Sequence, residues 1–254
     1  MNPIILSDNR FADNIPTATD TASGYDVRNI ADLRPYTFWQ ALSFGTKYLT
    51  VASQGAGAAD TLGIIGHNLY SSSALVSVES SPDNATWTER LAPFTPSSNR
   101  AFLKTFTLTS AAYWRVKIVT ASVAPMVGVV MLGSRLQFPY PPDAQFDPVN
   151  QGIVAEIENS VTGNPLGSVV SYFPHSVTPT FSNLQRTWVW NYFKPFWDSY
   201  ARYLKMLFWA WDLTAYPDLV LYGKMSKDTR FTFPVTSGDY VDSITFTFEA
   251  TAEP

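Results

Sequence analysis

The sequence predicts a protein that is mainly all-β, with two domains and one helix in the second. Three observations predict it. Apolar residues occur in short runs or alternate with polar ones, and Gly, Pro, Asn and Ser separate these runs. A proline-rich segment divides the chain of 254 residues near its middle. Hydrophobic residues make up 46% of the chain and charged residues only 15%, which favours folded domains over disorder.

The first half carries seven candidate strands. Two alternate cleanly, Val76 to Ser80 and Trp114 to Val119, and each is predicted to bury one face. Pro82 and Asp83 follow the first of these with turn chemistry, so we expect a hairpin that resumes near Trp87. The candidate strands are 37–41, 48–51, 61–67, 74–80, 101–108, 113–119 and 127–132.

The domain boundary is predicted at residues 138–143, where three prolines occur among six residues and interrupt both helix and sheet. The domains are therefore expected at 1–137 and 138–254. In the second domain, Ser182 or Asn183 is a candidate cap for a helix of two to four turns near 183–203, with Pro195 as a kink. The candidate strands there are 153–159, 167–172, 206–211, 220–224, 230–233 and 241–249.

Composition excludes several classes of function. The chain has no cysteine, which excludes disulfides, thiolate metal sites and a thiol nucleophile, and its two histidines give little scope for a metal site. We therefore expect no metal and no cofactor. A net charge of −4 without a basic cluster argues against sequence-specific nucleic-acid binding. The first residues do not resemble a signal peptide and no stretch is long enough to span a bilayer, so synthesis in the cytoplasm without membrane insertion is expected.

Candidate catalytic groups do not assemble into a site. The glycine-rich segment 55–59 lacks the lysine and the strand–loop–helix context of a phosphate loop and is predicted to be a turn. Glu156 and Glu158 share a strand face, which favours a solvated surface. Asp198 is predicted to form a buried or interfacial pair with Lys205 or with Arg202, which would lie one helical turn away. No enzyme is therefore predicted, with a glycan hydrolase using Glu156 or Asp212 as a minor alternative.

Aromatic residues are the strongest chemical signal. Five of the eight tryptophans lie between residues 188 and 211. A core, sugar stacking and a subunit interface all remain open for this cluster. The candidate interface residues are Trp188, Trp190, Phe193, Trp197, Trp209 and Trp211.

The first half resembles a discoidin-like domain, of the galactose-binding-like family. The segments that carry the resemblance occur in the family's order, at 22–30, 37–39, 59–69, 76–88 and 113–118. The resemblance implies a jelly-roll β-sandwich that binds sugars or lipids through exposed loops at one end. Four residues lie near the segments where those loops would be, and they are the candidate ligand-binding residues: Arg34, Trp39, His67 and Asn68.

The whole chain, including 181–184, 208–212 and the final strand, is similar to tail-tip and baseplate proteins of long-tailed bacteriophages, in the distal tail or hub position. That resemblance implies a structural virion component whose second domain is a β-barrel or β-sandwich with one helix. It implies a ring of three or six copies that joins the tail tube to the hub or receptor-binding parts. The alternative function is a carbohydrate-binding adhesin that contacts a glycan on the host surface.

Overall fold

The computed structural model describes residues 2–234 and 238–252. The chain divides into two compact units. The N-terminal unit comprises Ile4–Gln137 and Asp212–Val220. The C-terminal unit comprises Met1–Pro3, Phe138–Trp211 and Leu221–Pro254. Strands form most of the regular structure in both units, which confirms the predicted fold class.

Nine strands form the framework of the N-terminal unit. They are β1 (Ile4–Leu6), β2 (Thr17–Ala18), β3 (Trp39–Gln40), β4 (Gly45–His67), β5 (Leu75–Ser81), β6 (Thr88–Phe94), β7 (Phe102–Thr120), β8 (Met126–Gly133) and β9 (Leu136–Gln137). The main sheet has the antiparallel order β3-β8-β4-β7-β5-β6, with β2 also paired to β4. β1 pairs with β9. Two short 3₁₀ helices lie at Arg10–Ala12 and Val27–Ala31.

β4 and β7 are each one long strand where the sequence predicts two. Their pairing shifts register between Ala52 and Gly57, and the chain continues as β-structure beyond the irregularity. Gly55 has a φ of +68°, and a side chain at Gly57 would meet Arg10 and Ser53. The predicted turn at 55–59 is therefore wrong, because these glycines form a bulge inside a strand.

The core of the N-terminal unit is built from the inward residues of these strands. Leu49, Ile64, Val116 and Val130 are completely buried there. The equally buried Trp114 donates its indole N–H to the carbonyl oxygen of Gly57 at 3.0 Å. The stretch at 114–119 points one face inward, as predicted. The same prediction is wrong for 76–80, because both faces of this stretch are buried, with Ser77, Glu79 and Ser80 at most 9% exposed.

The predicted hairpin is formed by β5 and β6. In its turn, Asp83 accepts the backbone N–H groups of Ala85 at 2.9 Å and Thr86 at 2.7 Å. These bonds, Thr86 first, lower the pKa of Asp83 to about 2. Trp87, at the end of the turn, covers the Arg115 guanidinium, whose centre lies 4.0 Å from the indole ring.

The described residues of the C-terminal unit form seven further strands and a helical segment. The strands are β10 (Val154–Asn159), β11 (Pro165–Val177), β12 (Thr180–Gln185), β13 (Leu207–Ala210), β14 (Val220–Met225), β15 (Tyr240–Thr245) and β16 (Phe248–Ala252). Within this unit the sheet order is β10-β11-β16-β14-β13, and β12 pairs separately with β15. The helical segment consists of α1 (Arg186–Trp188), a π turn (Val189–Phe193), α2 (Lys194–Ser199) and a 3₁₀ turn (Ala201–Tyr203).

Two predicted elements of this unit are corrected. The helix begins at Arg186, because Ser182 and Asn183 belong to β12, which is paired to β15. The predicted strand at 230–233 is irregular. Its Phe231 packs instead on Trp197, with ring centroids 5.8 Å apart.

An aromatic cluster forms the core of the C-terminal unit. Phe138 stacks on Phe181 with centroids 4.0 Å apart, and Phe193, Trp209 and Phe246 surround it at 5.9–6.1 Å. All of these rings are almost fully buried. Much of the aromatic excess that the sequence shows is therefore core. No helix among residues 2–234 and 238–252 has the length and apolar character needed to cross a bilayer.

Candidate functional site

Several loops of the N-terminal unit are tied together at one end of its main sheet. The Ala41 N–H donates to the carbonyl oxygen of Pro125 at 3.0 Å. The Gly45 N–H donates to the hydroxyl of Thr120 at 3.3 Å. These bonds bring the loop before β4 and the loop after β7 together, as expected where antiparallel strands begin and end at the same edge.

Asn68 fixes a third loop to this group. Its amide nitrogen donates to the carbonyl oxygen of Ala124 at 3.0 Å, and its amide oxygen accepts the Met126 N–H at 2.8 Å. Both halves of the amide are thus occupied by backbone groups. The structure gives this predicted ligand residue an internal role, because its hydrogen bonds set the path of the chain into β8.

His67 has a similar internal role. Its Nδ1 accepts the Leu69 N–H at 3.2 Å, and its Nε2 lies 3.0 Å from the carbonyl oxygen of Arg100, so the neutral ring protonated at Nε2 satisfies both partners. Phe102 packs edge-on against the imidazole. Burial lowers the pKa of His67 to about 4. The side chain is 5% exposed and clamps two loops together.

Trp39 is completely buried. Its indole N–H is shared between the carbonyl oxygen of Asp20 at 3.2 Å and the hydroxyl of Thr21 at 3.1 Å. Of the four predicted ligand residues, only Arg34 has an exposed side chain. The structure therefore brings Trp39 into the interior as an anchor for the segment around Asp20.

Arg34 belongs to a loop with a fixed backbone. One carboxylate oxygen of Asp32 accepts the Arg34 N–H at 2.8 Å, and the other accepts the Thr37 hydroxyl at 2.7 Å. The carbonyl oxygen of Pro35 lies so close to Gly66 and Gly128 that a Cβ on either would come within 2.6–2.8 Å of it. Glycine at both positions is what allows the loop to lie directly on β4 and β8.

An ion pair between the buried Lys47 and the partly exposed Asp20 fixes the neighbouring loop at 41–44. Lys47 is 5% exposed and binds the carboxylate of Asp20, which also accepts the Leu42 N–H at 2.9 Å. Burial alone would raise the pKa of Asp20, but the bonds to Lys47 and Leu42 outweigh it and the pKa is lowered. Leu42 and Phe44 project from this loop into solvent.

The exposed side chains on these tied loops form the candidate site, which we call the loop face. It consists of Arg34, Tyr36, Leu42, Phe44, Tyr70 and Val123. Tyr36 is 74% exposed, Phe44 57% and Tyr70 52%. Three aromatic rings and one guanidinium in solvent, carried on loops that hydrogen bonds hold in place, are suited to a ligand with both apolar faces and polar groups.

Sequence reasoning missed the exposed rings of the loop face. In sequence, Tyr36, Phe44 and Tyr70 look like residues of the core. A usable signal was their position beside loop-forming residues, as in Arg34–Pro35–Tyr36 and Phe44–Gly45. Where apolar and polar residues do not alternate around an aromatic residue, no half-buried strand is predicted there, and the ring is more easily left in solvent.

An open groove of about 520 Å³ borders the same loop at Asp32. Its wall includes Ile15, Asn14 and Arg28. Arg28 is paired to Asp26 at 3.3 Å and is mainly exposed. This groove adds polar groups on one side of the loop that carries Arg34.

The predicted interface residues have different positions in the C-terminal unit. Phe193 and Trp209 lie in its core and are each 1% exposed. Trp188, Trp197 and Trp211 are partly exposed. Trp190 is 56% exposed, although its ring contacts Phe233. Of the six, Trp190 offers the largest exposed fraction.

The acidic residues weighed as catalytic groups are ion-paired, bonded to a turn, or exposed to solvent. The carboxylate of Asp198 binds Lys194 and lies 3.9 Å from Arg202, which confirms the predicted pairing with Arg202. The pair is not buried, because the side chains of Asp198 and Arg202 are 40% and 53% exposed. Asp212 accepts the backbone N–H groups of the turn that follows it. Glu156 and Glu158 are exposed on β10. Among the described residues, no three His, Asp or Glu side chains are grouped so as to hold a metal ion.

Comparison with known proteins gives similar solved structures. No family model matches the chain, and no curated protein sequence matches it. Chitosan-binding module 1 of a chitosanase/glucanase from Paenibacillus sp. IK-5 is 17% identical, with 49% of this chain and 97% of that chain covered and a TM-score of 0.43. A pectin-binding carbohydrate-binding module is 18% identical over 50% of this chain and 94% of that one, with a TM-score of 0.41. A Clostridium perfringens CBM32 module in complex with GalNAc-β-1,3-galactose is 12% identical over 46% and 93%, with a TM-score of 0.41.

Proposed function

We propose that the N-terminal unit binds carbohydrate through the loop face, without a catalytic role. The observation that carries the proposal is the grouping of exposed rings and a guanidinium on fixed loops. The C–H faces of a pyranose ring pack on aromatic rings such as Tyr36, Phe44 and Tyr70. The planar donors of Arg34 suit paired sugar hydroxyls or a sugar carboxylate.

The fixed loops support this function energetically. His67, Asn68 and the Lys47–Asp20 pair hold the loops by hydrogen bonds that exist before any ligand arrives. A ligand that binds such a surface does not have to order it, so less of the interaction energy is lost. The internal residues thus serve binding by positioning the exposed ones.

The test is a glycan array that includes bacterial polysaccharides and lipopolysaccharide, followed by calorimetry with the strongest glycan. We expect saturable binding, weakened about tenfold or more by Tyr36→Ala or Phe44→Ala, since each removes a stacking ring. Tyr240→Ala is the matched control, because Tyr240 is 47% exposed and lies in the C-terminal unit. Equal loss in the control, or no binding to any glycan, would overturn the proposal.

A second function is proposed for the C-terminal unit: assembly of a ring of three or six copies in a bacteriophage tail tip, beside the tail tube and the hub. The observation that favours it is the exposed aromatic surface of the helical segment, where Trp190, Tyr192 and Tyr203 are 56–62% exposed. Such surfaces in a folded protein mark interfaces. In this arrangement the loop face contacts a host-surface glycan.

The assembly is tested by light scattering and negative-stain imaging of the purified chain. A mass of three or six copies, with rings visible, is the expected result. A mass of one copy at high protein concentration would contradict the assembly and leave the glycan-binding proposal standing alone.

A further inference from the structure

Two arginines carry the unpaired positive charges of the N-terminal unit. The unit contains seven arginines and three lysines. Eight of these ten side chains contact an acidic, hydroxyl or aromatic partner, as Lys47 does with Asp20. The other two are Arg34 and Arg100, whose exposed side chains have no ion pair and no hydrogen bond within the part of the chain that the structure describes.

The end of β4 holds the backbone beside both arginines. Arg34 precedes Pro35, whose carbonyl oxygen lies so close to Gly66 that a Cβ there would be 2.6 Å from it. The next residue, His67, donates from Nε2 to the carbonyl oxygen of Arg100 at 3.0 Å. Two consecutive residues of one strand thus fix the two segments, and the arginines belong to the same end of the sheet.

An exposed tyrosine accompanies each of these arginines. Tyr36 lies two residues after Arg34 and is 74% exposed. Tyr70 is 52% exposed, and its backbone N–H donates at 3.0 Å to the side-chain oxygen of Asn99, the residue before Arg100. The end of β4 therefore presents two sets of groups, each with one aromatic ring and one guanidinium.

The acidic residues nearest to these arginines have hydrogen bonds of their own. Asp32 fixes the loop of Arg34 by the two bonds described above. Asp218 accepts the hydroxyl of Ser97, three residues before Arg100. Neither carboxylate forms an ion pair with either guanidinium among residues 2–234 and 238–252. Both positive charges are therefore open to a ligand, and no ion pair has to break before the ligand binds.

We propose that the glycan bound by the loop face is acidic, and that Arg34 and Arg100 each bind one of its carboxylates. A guanidinium donates two parallel N–H bonds to a carboxylate. The neighbouring tyrosine, Tyr36 or Tyr70, packs on the C–H face of the same sugar. Two such sets require a chain with at least two acidic sugar residues. The proposal rests on the proposed carbohydrate binding, names its ligand class and adds Arg100 to the binding residues.

Exposure of the two guanidiniums gives the proposal a second signature. Attraction between charges at a solvent-exposed surface is screened by salt. The affinity for an acidic glycan therefore falls as the salt concentration is raised. Stacking of a neutral sugar on the same rings does not have this dependence.

Paired glycans test the proposal with the full chain in calorimetry. The defined pair is an oligomer of galacturonic acid and the neutral oligomer obtained by reducing its carboxylates. Each acidic polysaccharide of the glycan array is measured beside its reduced form in the same way. We expect an acidic glycan to bind about tenfold or more tightly than its reduced form, with an affinity that falls with added salt. Reduction leaves phosphate and sulfate groups in place, so binding that survives it would contradict the role of the carboxylates.

Single substitutions assign the contact to the two arginines. Arg34→Gln and Arg100→Gln should each weaken binding of the acidic glycan about tenfold and leave binding of the reduced form unchanged. Both variants should melt at the wild-type temperature, because neither side chain has a partner to lose in the described chain. Arg90→Gln is the matched control. It removes the same charge from an exposed arginine of the same unit, outside the loop face, where the guanidinium donates to the Ser80 hydroxyl at 2.8 Å.

The outcomes distinguish this proposal from the carbohydrate function on which it rests. If glycans bind but the neutral forms bind as tightly as the acidic ones, the acidic ligand is wrong and the carbohydrate function stands. If Arg34→Gln and Arg100→Gln bind the acidic glycan as tightly as Arg90→Gln does, the two arginines are not its contacts. If no glycan binds, acidic or neutral, both proposals fail.

Discussion

His67 makes the stability of the N-terminal unit depend on pH in a predictable direction. Burial lowers its pKa from the ordinary 6.5 to about 4, so between these values the unfolded chain binds a proton that the folded chain does not. Stability is therefore complete above pH 6.5 and is lost as the pH falls towards 4. From these two pKa values, His67 alone removes about 2 kcal/mol of unfolding free energy between pH 7.5 and pH 5.

The assay compares denaturant unfolding at pH 7.5 and pH 5 in a His175→Asn background. This background is needed because burial also lowers the pKa of His175, the only other histidine. The further variant His67→Asn should lose most of the pH difference, although it is less stable at both pH values. Asp83, with a pKa of about 2, adds nothing above pH 5.

The two histidines also allow a direct NMR titration of each imidazole. We expect the His67 ring to stay neutral down to about pH 4, with the proton on Nε2. Titration near pH 6.5, or a pH difference that survives His67→Asn, would refute the assignment of His67 as a buried clamp.

Three further predictions follow from packing and hydrogen bonds. Asn68→Ala leaves two backbone groups without partners and should lower the unfolding free energy by about 1–3 kcal/mol in denaturant titrations. Arg115→Met removes a guanidinium that is stacked on Trp87 and bound to Glu79. We expect the unfolding free energy to fall by about 2 kcal/mol and the indole fluorescence to change. An unchanged unfolding free energy would contradict a stabilising contact between Arg115 and Trp87. Gly223→Ala places a Cβ against the carbonyl oxygen of Glu249, next to the cross-strand neighbour Ala250, and should destabilise the C-terminal unit by roughly 2 kcal/mol. A melting temperature equal to that of the wild type would be the contrary result.

Local chemistry made part of the fold predictable. The β5–β6 hairpin follows from Pro82 and Asp83 between two apolar stretches, and the structure shows Asp83 in the turn hydrogen bonds expected of it. The ion pair of Asp198 and Arg202 follows from helical spacing. In each case the partners lie within a few residues of one another.

Distant pairing made other elements unpredictable. Ser182 and Asn183 are good helix caps in isolation, but β15, about 60 residues later, pairs with this segment and keeps it extended. The glycines at 55 and 57 have turn chemistry, yet β7 pairs on both sides of them and makes one strand of β4. A local sequence pattern does not show which distant strand will pair with a segment.

The same difference between local and distant contacts applies to the candidate site. The placing of the site at one end of the N-terminal unit stays a prediction. Trp39, His67 and Asn68, however, form hydrogen bonds to groups as far as 58 residues away in the sequence, and these bonds give them internal roles. The exposed rings of the loop face were not predicted, because aromatic residues in a sequence are normally assigned to the hydrophobic core. Arg34 is the one residue common to the predicted and the proposed site.

The most direct measurement is an NMR titration of the isotope-labelled chain with a lipopolysaccharide-derived oligosaccharide that the glycan array identifies. If the loop face binds carbohydrate, the backbone signals that move with added sugar will lie in the loops at 32–38, 41–44, 68–74 and 121–125. Saturable movement of signals elsewhere in the chain, with those four loops unchanged, would contradict the account.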